Sequence, residues 1–286
     1  MPYSSSVVIS GAGSGMGQMI AVDYAKNNSA LLLLDVNEEG LHKTRQLCLD
    51  AGASVVRTEI VDVTEATAVK RILETYDDTY PVDAVYPCAA VIDTPRRPLP
   101  DTVHGFSKLF SVNVIGVFNI IQPIMERMQT RHFGKICLFS SILGFSGSLI
   151  TPNYTISKNC MRAIAESLRY PLQQHGISVS YVCPGGVKTG MTSVLPKWLT
   201  WIFLSAERAA NTIVSGCESG DFLIVFPFSF YSLLYGYLSL PLFLREPLES
   251  FLDIVYRGIF NYPFFLDTRW NFDSHDHSHF SDSVVF

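Results

Sequence analysis

Residues 10–17 of this chain read Ser10-Gly11-Ala12-Gly13-Ser14-Gly15-Met16-Gly17, a glycine-rich stretch that is the strongest indication of the fold. It follows the short apolar run Val7-Val8-Ile9 and precedes residues 18–25, where apolar side chains recur at helical spacing. Glycines let a backbone turn sharply and approach a ligand, and a helix N-terminus presents free N–H groups to phosphate. The stretch therefore predicts a strand, a tight turn and a helix, with the turn binding a pyrophosphate. A purely structural glycine-rich turn is the alternative.

Short runs of leucine or β-branched residues alternate with helical stretches along the chain. Such alternation is typical of a parallel sheet with helices on both faces. The runs are continuously apolar, as at residues 31–34, because a parallel strand is buried on both sides. We therefore predict an α/β protein in three layers, with a doubly wound parallel sheet whose strands lie at residues 6–10, 30–35, 54–60, 83–86, 135–139, 178–182 and 222–226.

Two carboxylates follow predicted strands. Asp35 ends the second strand, eighteen residues after Gly17, where a carboxylate can accept hydrogen bonds from the adenosine ribose of a dinucleotide. A carboxylate there repels a 2′-phosphate, and the neighbours Ser14 and Val36 supply no cation, so NAD is favoured over NADP. Asp62-Val63 follows the third strand and is a candidate adenine contact. For both aspartates a helix cap or turn residue is the alternative.

A second group of residues could carry chemistry. Tyr154 and Lys158 are four residues apart in a predicted helix, so both side chains leave the same face. A tyrosine has a reference pKa of about 10 and acts as a base near neutral pH only when neighbouring cations stabilise its ionised form. Ser141 follows a strand at the sheet edge where ligands bind, and it could donate to a substrate oxygen. We expect the amide of Asn113 to hold a water against Lys158, with an ordinary helix amide as the alternative.

Five elements in order resemble the short-chain dehydrogenase/reductase family over roughly residues 4–226: Gly11-x-x-x-Gly15-x-Gly17, Asn113, Ser141, Tyr154-x-x-x-Lys158 and Pro184-Gly185-Gly186-Val187-Lys188-Thr189. The resemblance implies a Rossmann-like sheet with Tyr154 as general acid/base and Ser141 steadying the substrate oxygen. Lys158 would bind the nicotinamide ribose and depress the pKa of the tyrosine. Asn113 would carry the water of a proton relay.

The resemblance also implies the cofactor contacts. Val187 would offer backbone groups to the carboxamide, and Thr189 a hydroxyl near the nicotinamide. The full set of expected cofactor-binding residues is Ser10, Gly11, Gly13, Ser14, Gly15, Met16, Gly17, Asp35, Asp62, Val63, Ala89, Tyr154, Lys158, Pro184, Gly185, Val187 and Thr189. Two departures stand out: Ser10 replaces the usual Thr, and Pro87-Cys88-Ala89-Ala90 stands where the family has Asn-Asn-Ala-Gly. The second change puts cofactor affinity in doubt.

Composition excludes several classes of protein. The 21 basic and 26 acidic side chains give a formal charge of -5 without a basic block, which argues against a nucleic-acid partner. The six cysteines form no C-x-x-C pair, so we expect a reducing, cytoplasmic compartment without disulfides, and no metal site. The first apolar run, residues 7–9, is too short for a signal sequence, so we expect no N-terminal anchor.

The region after Thr189 is rich in large apolar side chains. In the family this region closes over the substrate, so we expect a hydrophobic substrate such as a lipid, a steroid, a retinoid or a long-chain alcohol. Plain packing is the alternative. The candidate substrate-contacting residues are Leu195, Trp198, Trp201 and Ile202.

The chain changes character after residue 226. No charged residue occurs from Phe222 to Leu244, and a helix from Phe228 to Leu240 would be apolar on all but one narrow stripe. We divide the chain into a catalytic domain (1–226), an apolar appendage (227–272) and a disordered His-rich tail (273–286). The apolar helix is shorter than a membrane span, so we favour an element that dips into the cytoplasmic face of an intracellular membrane. A segment that spans the membrane or forms a hairpin in it, and an oligomer interface, are the alternatives.

These observations together predict an NAD-dependent oxidoreductase that interconverts a secondary alcohol and a ketone on a hydrophobic substrate. A second hypothesis is an NADP-dependent ketone reductase of lipid synthesis, of the 3-ketosphinganine or 3-oxoacyl type, against which Asp35 speaks. A third is a cofactor-binding scaffold without turnover, motivated by residues 87–90. By analogy with the family we expect a homodimer or homotetramer.

Overall fold

A computed structural model of the chain describes residues 4–92, 102–145, 151–193, 200–201, 203–241, 243–245 and 247. Within these ranges the strands are β1 (Ser6–Ser10), β2 (Ala30–Asp35), β3 (Val55–Ile60), β4 (Ala84–Pro87), β5 (Gly134–Phe139), β6 (Ile177–Pro184), β7 (Val187–Lys188), β8 (Leu204–Ser205) and β9 (Leu223–Phe226). The helices are α1 (Gly15–Ala25), α2 (Glu38–Ala51), α3 (Ala66–Asp77), α4 (Thr102–Phe110), α5 (Gly116–Arg131), α6 (Pro152–Gln173), α7 (Ala206–Ser219) and α8 (Phe228–Leu238).

The main sheet has seven strands, which are all parallel, in the order β3-β2-β1-β4-β5-β6-β9. The chain runs outward from β1 to β3 on one side and from β4 to β9 on the other. The strand order therefore reverses between β1 and β4, and ligands of such sheets bind at the carboxyl ends of the strands beside this reversal. The doubly wound α/β fold predicted from the sequence is confirmed, and each strand lies within one or two residues of its predicted position.

Helices cover both faces of the sheet, as the continuous apolar strands predicted. Alternate residues of a strand point to opposite faces, so Val7 and Ile9 pack with α1, α2 and α7, whereas Val8 packs with α3, α5 and α6. The two apolar clusters together hold the helices on the two faces of the sheet. Two short parallel strands, β7 and β8, pair separately beyond β6.

The helix that runs from Gly105 to Arg131 is long and apolar enough to cross a membrane by length and composition. Half of its most apolar window is buried, and Ile120, Ile121 and Ile124 are fully buried against the sheet. Core packing accounts for the buried half of this window. A π turn at Ser111–Ile115 joins α4 to α5 within this helix.

The described residues fall into two compact units, one up to Phe230 and one from Tyr231 onward. Helix α8 carries large apolar side chains that are mostly exposed, including Phe228, Leu233 and Tyr235. The predicted division at residues 226 and 272 stays a prediction. The predicted amphipathic stretch at 248–266 and the tail at 273–286 lie outside the described residues.

Candidate active site

The glycine-rich turn between β1 and α1 packs its backbone directly against neighbouring strands. Gly11 has a φ of +67°, and a Cβ atom there would lie 2.6 Å from the backbone nitrogen of Ala89. A Cβ atom on Gly17 would lie 2.3 Å from the carbonyl oxygen of Gly11. Only glycine fits these positions without a backbone shift. The turn between β1 and α1 therefore leaves its backbone open to the close approach of a pyrophosphate.

Helix α1 begins at Gly15, directly after the turn. Ser14 at its N-cap makes no side-chain cap hydrogen bond, so the first N–H groups of the helix are left to a ligand. A Cβ atom on Gly15 would lie 3.4 Å from the Cγ2 atom of Thr189, which places Thr189 against the turn. Met16 packs on the core from the first turn of the helix.

Asp35 ends β2 beside the turn. Its Oδ2 atom accepts from the Gly13 N–H at 2.7 Å, and its Oδ1 atom accepts from the Asn37 N–H at 2.9 Å. Each carboxylate oxygen has a further lone pair, so the side chain can also accept from ribose hydroxyls. Asn37, not Asp35, caps α2 by accepting from the Gly40 N–H. Asp35 is thus both the turn residue and the candidate ribose ligand that the sequence analysis weighed.

The structure gives Asp62 and Val63 local roles beside β3. Asp62 accepts from both the N–H and the hydroxyl of Thr64, which is the turn role that the sequence analysis left open. Val63 is buried, and its carbonyl oxygen accepts from Asn119. An adenine contact by these two residues stays a prediction.

The end of β4 carries the departure from the family pattern. Despite the substitutions, the Cys88 N–H donates to the Ser10 carbonyl at 3.1 Å, and the Ala89 N–H reaches the Ser10 hydroxyl at 3.4 Å. Burial raises the pKa of the Cys88 thiol, although the charge of Lys158 acts in the opposite direction. The thiol therefore stays neutral. Residues 87–90 keep the backbone connection to β1 that places Ala89 against Gly11.

Tyr154 and Lys158 lie one turn apart near the start of α6, as predicted. Lys158 is only 4% exposed, and its Nζ atom donates to the Phe139 carbonyl at the end of β5, at 3.0 Å. The same Nζ atom lies 5.3 Å from the centre of the Tyr154 ring. Burial lowers the pKa of Lys158 to about 8. The arrangement brings a cation to the face of the candidate acid/base.

Two serines at the end of β5 have different hydrogen-bond partners. The Ser140 hydroxyl donates to the Lys158 carbonyl at 2.7 Å and so ties α6 to the strand. The Ser141 oxygen accepts from the Leu143 N–H at 3.2 Å. Because that bond uses Ser141 only as an acceptor, its O–H can still donate to a substrate oxygen. The structure thus brings Ser141 to the same sheet edge as Lys158.

Asn113 lies within the π turn that joins α4 to α5. Its Oδ1 atom accepts from the Val91 N–H at 2.8 Å, and its Nδ2 atom donates to the Val91 carbonyl and to the Ser157 hydroxyl. Both amide hydrogens are used by protein partners. The water predicted at Asn113 could therefore only donate to an oxygen atom of this residue, and could not accept from its amide.

The remaining predicted cofactor residues lie at the end of β6 and just beyond it. Pro184 ends that strand, and the Gly185 N–H donates to the Phe226 carbonyl at 2.7 Å. Val187 is buried in β7, and Thr189 caps the 3₁₀ turn Gly190–Thr192 through a reciprocal pair of hydrogen bonds. These residues place one more loop at the carboxyl edge of the sheet.

Of the four predicted substrate-contacting residues, the structure describes Trp201. Leu195, Trp198 and Ile202 lie outside the described residues. Trp201 is 74% exposed, so it makes little packing contact. The substrate assignment stays a prediction.

Sequence reasoning missed Ser140 and Ser157. Ser157 donates to the Tyr154 carbonyl at 2.7 Å while it accepts from Asn113, so it links two candidate catalytic residues. Ser140 holds the Lys158 carbonyl. The available signal was their adjacency to Lys158 and Ser141, since small hydroxyl residues beside a buried charge commonly hold backbone groups in place.

The family model "short chain dehydrogenase" matches residues 5–200. The 17-beta-hydroxysteroid dehydrogenase 13 of Mus musculus is 29% identical over 226 residues, which cover 78% of this chain and 73% of that protein. Epidermal retinol dehydrogenase 2 of Homo sapiens is 27% identical over 257 residues, covering 87% and 82%. A short chain dehydrogenase/reductase from Burkholderia phymatum, solved in complex with NAD, has the same fold with a TM-score of 0.72, at 22% identity over 82% of this chain and 92% of that chain.

The buried Lys158 gives stability a defined pH dependence. Its folded-state pKa of about 8 lies below its ordinary value of 10.5, so the charged side chain destabilises the fold below pH 8, and stability recovers as the pH rises from 8 towards 10.5. We expect cofactor-free Lys158→Met to be more stable than the wild type at pH 7, by up to about 3 kcal/mol. The difference should shrink at pH 9.5. Urea denaturation at both pH values measures it.

Lys70→Met is the matched control, because Lys70 is a largely exposed helix lysine. It should change stability little at either pH. A Lys158→Met variant that is no more stable than the wild type at pH 7 would contradict the buried charge.

Proposed function

The chain belongs to the short-chain dehydrogenase/reductase family, and we propose that it interconverts a secondary alcohol and a ketone on a hydrophobic substrate, with NAD as the hydride carrier. The observation that carries the proposal is the position of Lys158 under Tyr154, with Ser141 at the neighbouring strand end. A tyrosine, a lysine and a hydroxyl donor at the carboxyl edge of a parallel sheet suit proton transfer to and from an oxygen atom.

In the proposed reaction Tyr154 moves the proton and Ser141 steadies the oxygen. When bound, the nicotinamide ring takes up or supplies the hydride. In the oxidative direction the Tyr154 phenolate accepts the hydroxyl proton of the alcohol, while the Ser141 O–H donates to the same oxygen. The Lys158 ammonium stabilises the phenolate electrostatically. At pH 7 a lysine with a pKa of about 8 is mostly protonated and can play this part.

The alternative of a non-catalytic scaffold has weaker support. It rests on residues 87–90, which replace the family motif at the end of β4. Yet the N–H groups of Cys88 and Ala89 still meet Ser10, and Gly11 still packs on Ala89. The Tyr154 and Lys158 pair is also complete, which favours turnover.

Asp35 supports NAD over NADP. Both of its oxygens already accept backbone N–H groups, which fixes the carboxylate at the end of β2, beside the turn where we propose that the dinucleotide binds. A 2′-phosphate on the adenosine ribose would bring a second negative charge close to this carboxylate, and the two charges would repel each other. This argues against the alternative of an NADP-dependent ketone reductase of lipid synthesis.

The relatives support a hydrophobic substrate. Those compared above are named as a hydroxysteroid dehydrogenase and a retinol dehydrogenase. The sequence after Thr189 is correspondingly rich in leucine and tryptophan. We propose an apolar alcohol or ketone of the lipid, steroid or retinoid type.

We further propose that the apolar residues around α8 attach the enzyme to the cytoplasmic face of an intracellular membrane. Phe228, Leu233, Tyr235 and Phe243 are each more than half exposed. Contiguous exposed apolar groups mark an interaction site with a membrane or a protein. A membrane is favoured because it also dissolves a hydrophobic substrate. A homodimer or homotetramer through the helices that bear Asn113 and Tyr154 is proposed by family analogy.

Tyr154→Phe removes the proposed proton-transfer hydroxyl and keeps the aromatic ring. We expect kcat/KM to fall by about 10³-fold, within the range of about 10²- to 10⁴-fold that general acid–base catalysis contributes. NADH binding, followed by nicotinamide fluorescence, should stay near the wild-type value. Activity is measured as NADH formation with a panel of apolar secondary alcohols.

The control for this substitution is Tyr170→Phe, at an exposed tyrosine on the same helix. It should keep full activity. If hydride transfer survives Tyr154→Phe at the wild-type rate, the acid/base is a different residue.

Flotation with neutral phosphatidylcholine vesicles tests the membrane proposal. We expect the full chain to float with the vesicles, and the triple variant Phe228→Glu, Leu233→Glu, Phe243→Glu to stay at the bottom, since burying a carboxylate in the interface is costly. Tyr170→Glu, at an exposed residue of α6, should float like the wild type. Full-length protein that remains with the soluble fraction would refute membrane attachment.

A further inference from the structure

A threonine on α2 contacts the backbone of the glycine-rich turn. Thr44 is fully buried, and its Oγ1 atom lies 2.8 Å from the Ala12 carbonyl oxygen and 2.9 Å from the Gly40 carbonyl oxygen. The same hydroxyl accepts from the Nε2 atom of Gln18 at 2.8 Å. The hydroxyl has one hydrogen, which it can donate to either carbonyl oxygen or share between them. A chain of hydrogen bonds thus runs from α1 through α2 to the turn.

The contact with Ala12 fixes the direction of one peptide unit. In a trans peptide the C=O and the following N–H point in opposite directions. The Ala12 carbonyl faces Thr44, so the Gly13 N–H points away from α2, where it donates to Asp35 at 2.7 Å. Thr44 and Asp35 therefore hold the two ends of the same peptide unit.

The next peptide unit is held from the same side. A Cβ atom on Gly40 would lie 2.6 Å from the Gly13 carbonyl oxygen, so the first turn of α2 packs directly on this group. The Nε2 atom of Gln18 approaches the same oxygen at 3.5 Å. With the Gly13 carbonyl turned towards α2, the Ser14 N–H faces the opposite side, at the uncapped start of α1.

A purely helical role for Thr44 does not explain these contacts. A helix threonine commonly bonds the carbonyl four residues earlier, and Gly40 provides that partner. Ala12, however, lies on a different element and is itself fully buried. Without the hydroxyl its carbonyl would lose the partner that Thr44 provides, and a buried unpaired carbonyl is costly.

We propose that Thr44, supported by Gln18, is a positioning residue for the dinucleotide. It orients the turn so that the N–H groups at the start of α1 face the pyrophosphate and Asp35 faces the adenosine ribose. This inference rests on the proposed dinucleotide site. Neither Thr44 nor Gln18 needs to touch the ligand.

The test is the affinity for NADH, followed by its fluorescence at 25 °C, together with the melting temperature of the ligand-free protein. Thr44→Val keeps the side-chain shape and removes the hydroxyl. Losing one oriented hydrogen bond is expected to raise the Kd by about tenfold. Thr44→Ser keeps the hydroxyl and should recover most of the affinity. Competition by ADP-ribose, which has the pyrophosphate and no nicotinamide, should weaken by the same factor as NADH binding.

Thr212→Val is the matched control. Thr212 makes the same backbone contact, to the carbonyl of Arg208 four residues earlier, on the exposed side of α7. We expect it to bind NADH like the wild type. Gln18→Leu, at a half-buried site, is the second variant and should weaken binding by about threefold.

Several results would overturn the proposal. Thr44→Val could bind NADH as tightly as the wild type, or Thr44→Ser could bind as weakly as Thr44→Val, which would make side-chain shape the cause. If Thr44→Val does not fold, unchanged binding by Gln18→Leu overturns the proposal. A wild-type protein that binds no dinucleotide refutes the proposed function itself, which is a distinct outcome from variants that bind as the wild type does.

Discussion

Close contact between backbones at the reversal of strand order is the constraint on which the rest of the site depends. The backbone of Gly11 packs against the backbone just after β4. Gly13 packs against the Asp35 side chain and against the first turn of α2. None of these contacts leaves room for a side chain. The carboxyl ends of β1, β2 and β4 are therefore held within reach of one ligand, and the start of α1 is aimed at the same space. The apolar clusters on the two faces of the sheet supply the packing that keeps this geometry rigid.

The catalytic end of the site depends on the same edge of the sheet. The Nζ atom of Lys158 donates to the Phe139 carbonyl, and the Lys158 carbonyl accepts from the Ser140 hydroxyl. Residues at the end of β5 therefore hold both the side chain and the backbone of Lys158. Its burial lowers the pKa of the amine and also keeps the charge beside Tyr154 poorly screened by water. A buried cation lowers stability, but it favours an ionised tyrosine. Such a compromise between stability and function is common at active sites.

Much of the fold could be predicted because the relevant signals are local in sequence. Continuous apolar strands, the glycine spacing and the four-residue separation of Tyr154 and Lys158 needed no tertiary information. The contacts that orient these groups could not be predicted in this way. Thr44 meets Ala12 across 32 residues, and Asn113 meets Ser157 across 44. The π turn that carries Asn113 also has no simple sequence signature, since its helix reads as continuous.

The most direct test of the account is the melting temperature of the purified protein with NAD, NADH, NADP and NADPH. A ligand that binds only the folded state must raise the apparent stability, by about 2.7 kcal/mol at a concentration one hundred times its Kd. We expect a clear rise with NAD and NADH and a much smaller one with NADP and NADPH. Equal or larger shifts with NADP and NADPH would contradict the role of Asp35. No shift with any of the four would contradict the dinucleotide site itself.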